Sequence, residues 1–145
     1  MTHEINFQQT LTHDEQQILW DGIEQAISAK VGKTGRHDLC FLLRDDQGEI
    51  LGGVQGNCDN WGWLWIDSLW VSESLRGQGL GKKLLYMIED KAIALECTHS
   101  HLTSFTFQAA DFYKNLGYSV FGELENYPLG HSRCWLKKEL VTLSM

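Results

Sequence analysis

The chain has 145 residues, with 12 Lys and Arg against 19 Asp and Glu and a formal net charge of −7. Apolar residues make up 43% and aromatics 11%, enough for a packed core, which excludes an intrinsically disordered chain. The acidic balance argues against nucleic acid as a partner, because domains that hold phosphate backbones are normally basic.

That length fits one domain over 1–145. The first seven residues have no basic segment leading into an apolar stretch, and no run approaches about 18 apolar residues. The expectation is a cytoplasmic chain with no signal peptide and no membrane partner. Cys40, Cys58, Cys97 and Cys134 form no C-x-x-C pair. Reduced thiols are expected, with neither a disulfide framework nor a metal site.

In chain order, Ile5 and Phe7 alternate as in a short first strand. Thr12 with Glu15 three residues on has the spacing of a capping box. Ile18, Leu19, Ile23, Ala26 and Ile27 follow at helical spacing, which predicts a helix to about Lys30. Gly32 and Gly35 mark a loop over 31–38. Strands over 39–44 and 50–56 flank Asp45-Asp46-Gln47-Gly48 and form a hairpin.

The segment 61–71 is the most strand-like in the chain. In plain alternation Trp61, Trp63, Trp65, Asp67, Leu69 and Val71 share one face, and Leu64, Ile66 and Trp70 the other. Both faces are covered, as in a central strand. A glycine turn over 76–81 leads into a second amphipathic helix carrying Leu80, Leu84, Leu85, Ile88, Ala92 and Leu95. A strand is predicted over 101–107. A short helix with Ala109, Phe112, Tyr113 and Leu116 on one face then ends at Gly117. Two last strands, over 118–124 and 133–137, are joined by a loop holding the single proline, Pro128. The order predicts an α+β domain with a mixed, mostly antiparallel sheet and helices between the strands.

The turn Arg76-Gly77-Gln78-Gly79-Leu80-Gly81 offers close backbone approach and the unpaired N–H groups of a helix start, which together suit an anion such as phosphate. It is not a Walker loop, because Arg76 stands where the first glycine belongs and Lys83 replaces the Ser or Thr. It is not a dinucleotide fingerprint, because Lys82 takes the third glycine's place.

Arg76-x-x-Gly79-x-Gly81 resembles the [QR]-x-x-G-x-[GA] acyl-CoA motif of the GCN5-related N-acetyltransferases. About thirty residues on, Ala109-x-x-Phe112-Tyr113-x-x-x-Gly117-Tyr118 is similar to that family's A-x-x-F-Y-x-x-x-G-[FY] signature. The resemblance implies an acetyl-CoA-dependent N-acetyltransferase of the acyl-CoA N-acyltransferase fold. It implies that the backbone of Arg76, Gly77, Gln78, Gly79, Leu80 and Gly81, with Lys82 adjoining, binds the CoA pyrophosphate. Leu69, Trp70 and Val71 would pair with the pantetheine arm as a strand would. A bulge near 67–69 would turn one N–H toward the thioester carbonyl and hold the oxyanion. Tyr113 would protonate the departing thiolate. Where many relatives place an asparagine that contacts pantetheine, this chain has Thr106. Its contact is either weaker or made by Ser104 or Gln108.

The acceptor amine must lose a proton before it attacks, and Asp67 is the first carboxylate to name. Glu125, Tyr127 and His131 are further acceptor-side candidates, His131 because imidazole titrates near neutral pH. Trp61, Trp63, Trp65, Phe105 and Tyr127 either line an acceptor pocket or serve as core or homodimer contacts. The acidic chain suits a small, cationic amine. A protein or peptide N-acetyltransferase and a weakly catalytic acyl-CoA-binding module are the other function classes. His99 and His101 would face one side of a strand, without an evident carboxylate partner for a metal.

Overall fold

The computed structural model describes residues 2–141. They fall into two compact units that divide between Thr34 and Gly35. In the first, α1 spans His13–Val31. The capping box is formed: Glu15 N–H donates to Thr12 Oγ1 at 3.1 Å, and Thr12 N–H donates to Glu15 Oε1 at 2.9 Å. Gly32, at φ 87°, ends the helix, its N–H donating to Ser28 O at 3.1 Å. The Glu24 carboxylate then accepts from both Thr34 N–H (2.9 Å) and Thr34 Oγ1 (2.7 Å), which folds the chain back on the helix. The expected strand at Ile5 and Phe7 is absent, since those residues carry no regular secondary structure. Two alternating apolar residues cannot make a strand without a ladder partner.

The second unit holds β1 (His37–Arg44), β2 (Ile50–Cys58), β3 (Trp63–Val71), α2 (Leu80–Ala94), β4 (His99–Phe105), α3 (Ala110–Asn115), β5 (Ser119–Glu125) and β6 (Ser132–Glu139). The strands form one sheet in the order β1-β2-β3-β4-β6-β5. Every neighbouring pair is antiparallel except β3 and β4. This is the mixed, mostly antiparallel α+β architecture expected. Boundaries move by a few residues: β1 starts at His37, Trp61 lies in the turn before β3, and β4 runs two residues earlier than its pattern predicted. No helix among the described residues is long and apolar enough to cross a membrane.

The core lies between one face of the sheet and α2. Leu64 and Ile66 of β3, Leu102 of β4 and Leu136 of β6 meet Leu85, Ile88 and Ala92 of α2, and Tyr113 and Tyr118 close the cluster. Each fully buried leucine contributes about 1.5–3 kcal/mol by leaving water. One charge is buried with them. Glu89 of α2 accepts from Lys138 Nζ at 2.9 and 3.2 Å and lies 2.7 Å from the Tyr118 hydroxyl, which also lies 2.9 Å from Ser100 Oγ. A buried carboxylate is tolerable only when paired in this way. The pairing ties α2 to β4, β6 and the start of β5.

Two features of β3 shape the site. Between Gln55↔Ser68 and Gly56↔Ile66 the register against β2 slips by one, so Asp67 is the extra residue of a β-bulge. The bulge overturns the plain alternation drawn from the sequence: beyond it Leu69 and Val71 pack against the core, on the side of Leu64 and Ile66. In addition, β3 and β4 pair only at Trp63↔His99, Leu64↔Ser100 and Trp65↔His101, and then part. The sheet is forked from that point.

Gly56 faces the bulge so closely that a Cβ there would run into the Trp65 carbonyl oxygen. Backbone cannot give way as a side chain can. Gly56→Ala is therefore expected to destabilise the protein by about 2 kcal/mol or more and to lower Tm by roughly 5 °C or more. Thermal unfolding measures it, and an unchanged Tm would show that the strand pair relaxes freely.

Candidate active site

The fork opens a cavity of about 700 Å³. Ile66, Asp67, Ser68, Leu69, Trp70 and Val71 of β3 form one wall, and Leu102, Thr103 and Ser104 of β4 the other. The turn after β4 and α3 supply Phe107, Gln108, Ala109, Phe112 and Tyr113, while Arg76 and Gly81 stand at one end. Beyond Trp65 no strand pairs with β3 on this side. Its backbone groups there are available to an extended ligand lying along it, as another strand would.

At the Arg76 end the backbone is prepared for an anion. Gly77 and Gly79 have φ of 83° and 78°, the left-handed region that glycine reaches without strain, and a Cβ at either would meet nothing within 4 Å. Gly79 caps α2 without a side-chain acceptor, so the first N–H groups of the helix have no cap of their own. Lys82 and Lys83 occupy the first turn of α2, where the helix dipole favours acidic residues. An anion at that end removes the conflict. Arg76 Nε donates to Val71 O at 3.1 Å, fixing its guanidinium beside the same end. These features fit the diphosphate of a CoA thioester.

Tyr113 of α3 lines the same cavity. It is 7% exposed, and burial pushes its phenol up to about 12. Its ring meets Phe112 and Tyr118 edge-on, at 5.1 and 5.7 Å. The start of α2 lies close to α3: a Cβ on Gly81 would be in ordinary van der Waals contact with the Phe112 ring, at 3.5 Å. A phenol held this high keeps its proton at neutral pH. It yields that proton only to a partner whose own affinity for protons is raised by the same dryness. Thiols here behave so: burial pushes Cys58 up to about 12 as well.

Asp67 is turned out by the bulge. Its Oδ2 lies 3.3 Å from Gln55 Nε2 and 3.3 Å from Ser68 Oγ. It lines the large cavity and also an adjoining hollow of about 500 Å³ with Arg36, Asp38, Cys40, Gln55, Asn57 and Trp65. The carboxylate is therefore open to both hollows.

Of the residues expected from the sequence, Asp67, Leu69, Trp70, Val71, Arg76, Gly81 and Tyr113 come together on one cavity. Gly77, Gln78, Gly79, Leu80 and Lys82 shape its end from the turn and the start of α2 without lining it. Thr106 is off the wall. Its hydroxyl accepts from Ser132 N–H at 3.0 Å and lies 3.3 Å from Ser132 O, whereas Ser104 and Gln108 do line the cavity. Glu125 ends β5, and Tyr127 and His131 lie on the following loop. Tyr127 tilts against Phe105 at 5.7 Å, and His131 meets the cavity residue Phe107 edge-on at 5.0 Å. Trp63 and Trp65 pack on His99 and His101 at the base of the fork.

Ser68, Thr103 and Phe107 were not named from the sequence. Phe107 lies just past the end of β4, and Ser68 and Thr103 become wall residues through the bulge and the fork.

Relatives place this geometry in a family. The profile of the Acetyltransferase (GNAT) family matches residues 4–118. An acetyltransferase of Agrobacterium fabrum strain C58 is 33% identical over 110 residues, 76% of this chain and 80% of its own. A blasticidin-S acetyltransferase of Streptomyces morookaense is 38% identical over 96 residues, 66% of this chain and 70% of its own. The crystal structure of an acetyltransferase from Bacillus cereus superposes with a TM-score of 0.79 at 33% identity, covering 92% of this chain and 97% of that one. The chain belongs to the GNAT acetyltransferase family and is, by that membership, an acetyl-CoA-dependent N-acetyltransferase.

Proposed function

We propose that the protein transfers acetyl from acetyl-CoA to a primary amine of a small molecule, by direct attack in a ternary complex. The observation that carries this is the placement of Asp67 and Tyr113 on the walls of one forked cavity. Asp67 takes a proton from the ammonium as the amine approaches. The neutral nitrogen attacks the thioester carbonyl, and an N–H of the bulged backbone donates to the developing oxyanion. Tyr113 donates to the departing sulfur. The loop over 76–81 and the first turn of α2 hold the diphosphate, and Leu69, Trp70 and Val71 align the pantetheine arm.

Two observations favour a small acceptor. One relative is named for blasticidin S, a small molecule. The hollow beside Asp67 has only about 500 Å³, the scale of a small-ligand pocket. Burial raises the thiols of Cys58 and Cys97 and keeps them protonated, which argues against an acyl-enzyme on either.

A panel of primary amines, assayed for free CoA thiol, tests the proposal. Small amines are expected to release thiol in proportion to acetylated product. Release only with peptides would move the enzyme to the peptide class. Tight CoA binding with no release from any amine would make it an acyl-CoA-binding module.

A further inference from the structure

We propose that Arg133 recognises an anionic group on the acceptor, so that the preferred substrate carries a carboxylate or phosphate as well as its amine. This rests on the acetyltransferase reading above and narrows its substrate class.

Arg133 lies on β6 with its side chain on the sheet face opposite α2. Its register partner is Phe105, and its neighbours Cys134 and Leu136 point the other way, into the core. One guanidinium nitrogen donates to Thr103 Oγ1 at 3.0 Å and another to the Tyr127 hydroxyl at 3.3 Å. The guanidinium carbon lies over three aromatic rings, those of Phe105 (5.4 Å), Tyr127 (5.5 Å) and Trp135 (5.2 Å). The group is held in place by neutral partners alone. Among the described residues no carboxylate comes within ion-pair distance of it. Its Nε is buried without any hydrogen-bond partner.

A half-buried cation with an orphaned donor and no counter-ion is a standing cost to the fold. It is an unusual feature in a chain of net charge −7, where carboxylates are plentiful. Lys137, four residues along the same face, sits over the Phe121 ring at 5.6 Å and also lacks a carboxylate partner among the described residues. The two cations flank Trp135 and leave one positive spot on this face.

That spot adjoins the site. Thr103, which anchors the guanidinium, is a wall residue of the cavity. Asp67 is on the opposite arm of the fork, and its contact with Gln55 places it on the same face of the sheet. Asp67 and Arg133 stand on β3 and β6 with β4 between them, so an amine at one and an anion at the other are separated by two strand spacings, about 10 Å. An acceptor bearing both charges would bridge the arms of the fork. Both ends would be read by opposite charges in a partly dry setting, where charge-assisted bonds are strongest. The cationic acceptor expected from composition alone is replaced by a zwitterionic one.

The test uses the full chain and matched amines. In wild type, kcat/KM for 6-aminohexanoate is expected to exceed that for 6-aminohexanamide by about ten- to hundred-fold. A graded series from glycine to 8-aminooctanoate should peak at intermediate length, and 2-aminoethyl phosphate and 4-aminobutyl phosphate separate phosphate from carboxylate preference. Arg133→Gln should bring the acid-to-amide ratio close to one through KM for the acid, and Arg133→Lys should restore part of it. A wild-type ratio near one overturns the proposal. So does an Arg133→Gln variant that loses both substrates equally, the result of a purely structural pillar.

Acetyl-CoA affinity, measured alongside, reports whether each variant is folded. If no amine is acetylated at all, the transferase reading fails by itself. The same compounds are then scored by thermal shift in the presence of CoA. A shift with the acids in wild type, lost in Arg133→Gln, upholds the anion site, and no shift with any acid overturns it.

Discussion

Gly79→Glu is expected to weaken acetyl-CoA binding by about a hundred-fold or more, as measured by titration calorimetry on the folded variant. Two effects add. The new carboxylate lies at the start of α2, where it satisfies the uncapped N–H groups that would otherwise face the diphosphate. It also sets a negative charge beside the ligand's own. Strain is the competing explanation, because Gly79 has φ of 78° and a side chain there adds about 1–2 kcal/mol. Gly79→Asn separates the two. Asparagine tolerates the left-handed region and is neutral, so it should lose less than about ten-fold. Equal losses in both variants would show that the negative charge is not the cause. An unchanged Kd in folded Gly79→Glu would place the diphosphate elsewhere.

Tyr113→Phe should lower kcat by roughly ten- to thousand-fold and leave acetyl-CoA affinity nearly as it is. The hydroxyl is needed as sulfur departs, whereas the ring keeps its packing on Phe112 and Tyr118. Wild-type turnover would transfer the proton to water. The pH dependence carries a second signature. An ordinary phenol would shut the reaction off near pH 10, but burial moves Tyr113 to about 12, so kcat should show no falling limb at 10. Stability moves in the same window. As pH rises from about 10 toward 12 the unfolded chain releases this proton before the folded one does, so stability that is intact below 10 is lost across that interval. Tyr118, raised by burial and by the Glu89 carboxylate, adds a loss of the same sign.

Local features of the fold were legible in the residues. Thr12 and Glu15 announce the start of α1, and the helix begins at His13. Asp45 to Gly48 announces the turn between β1 and β2. The two motifs that carry the family resemblance correspond to the start of α2 and to α3. Pattern misled where a partner was required. Ile5 and Phe7 alternate correctly, yet alternation without a ladder is not a strand. The six-residue face drawn through β3 was true only up to Asp67, because one extra residue reverses every side chain after it. Acceptor-side chemistry was the least legible. Thr103 and Arg133 are thirty residues apart, and only the pairing of β4 with β6, two strands not adjacent in sequence, brings them into contact. Thr106 shows the same limit, since its hydroxyl is taken up by Ser132 across that strand pair.

The three residue pairs that join β3 to β4 make up the whole ladder between two half-sheets, β1-β2-β3 on one side and β4-β6-β5 on the other. Past Trp65 and His101 the two strands no longer pair, and the thioester arm is proposed to lie in that gap. Donor bound there would act as a zipper closing the remaining length of the seam, and the free energy that holds the donor would also hold the halves of the sheet together. On that proposal each turnover ends by unfastening the seam, so dissociation of spent CoA is also a loosening of the fold.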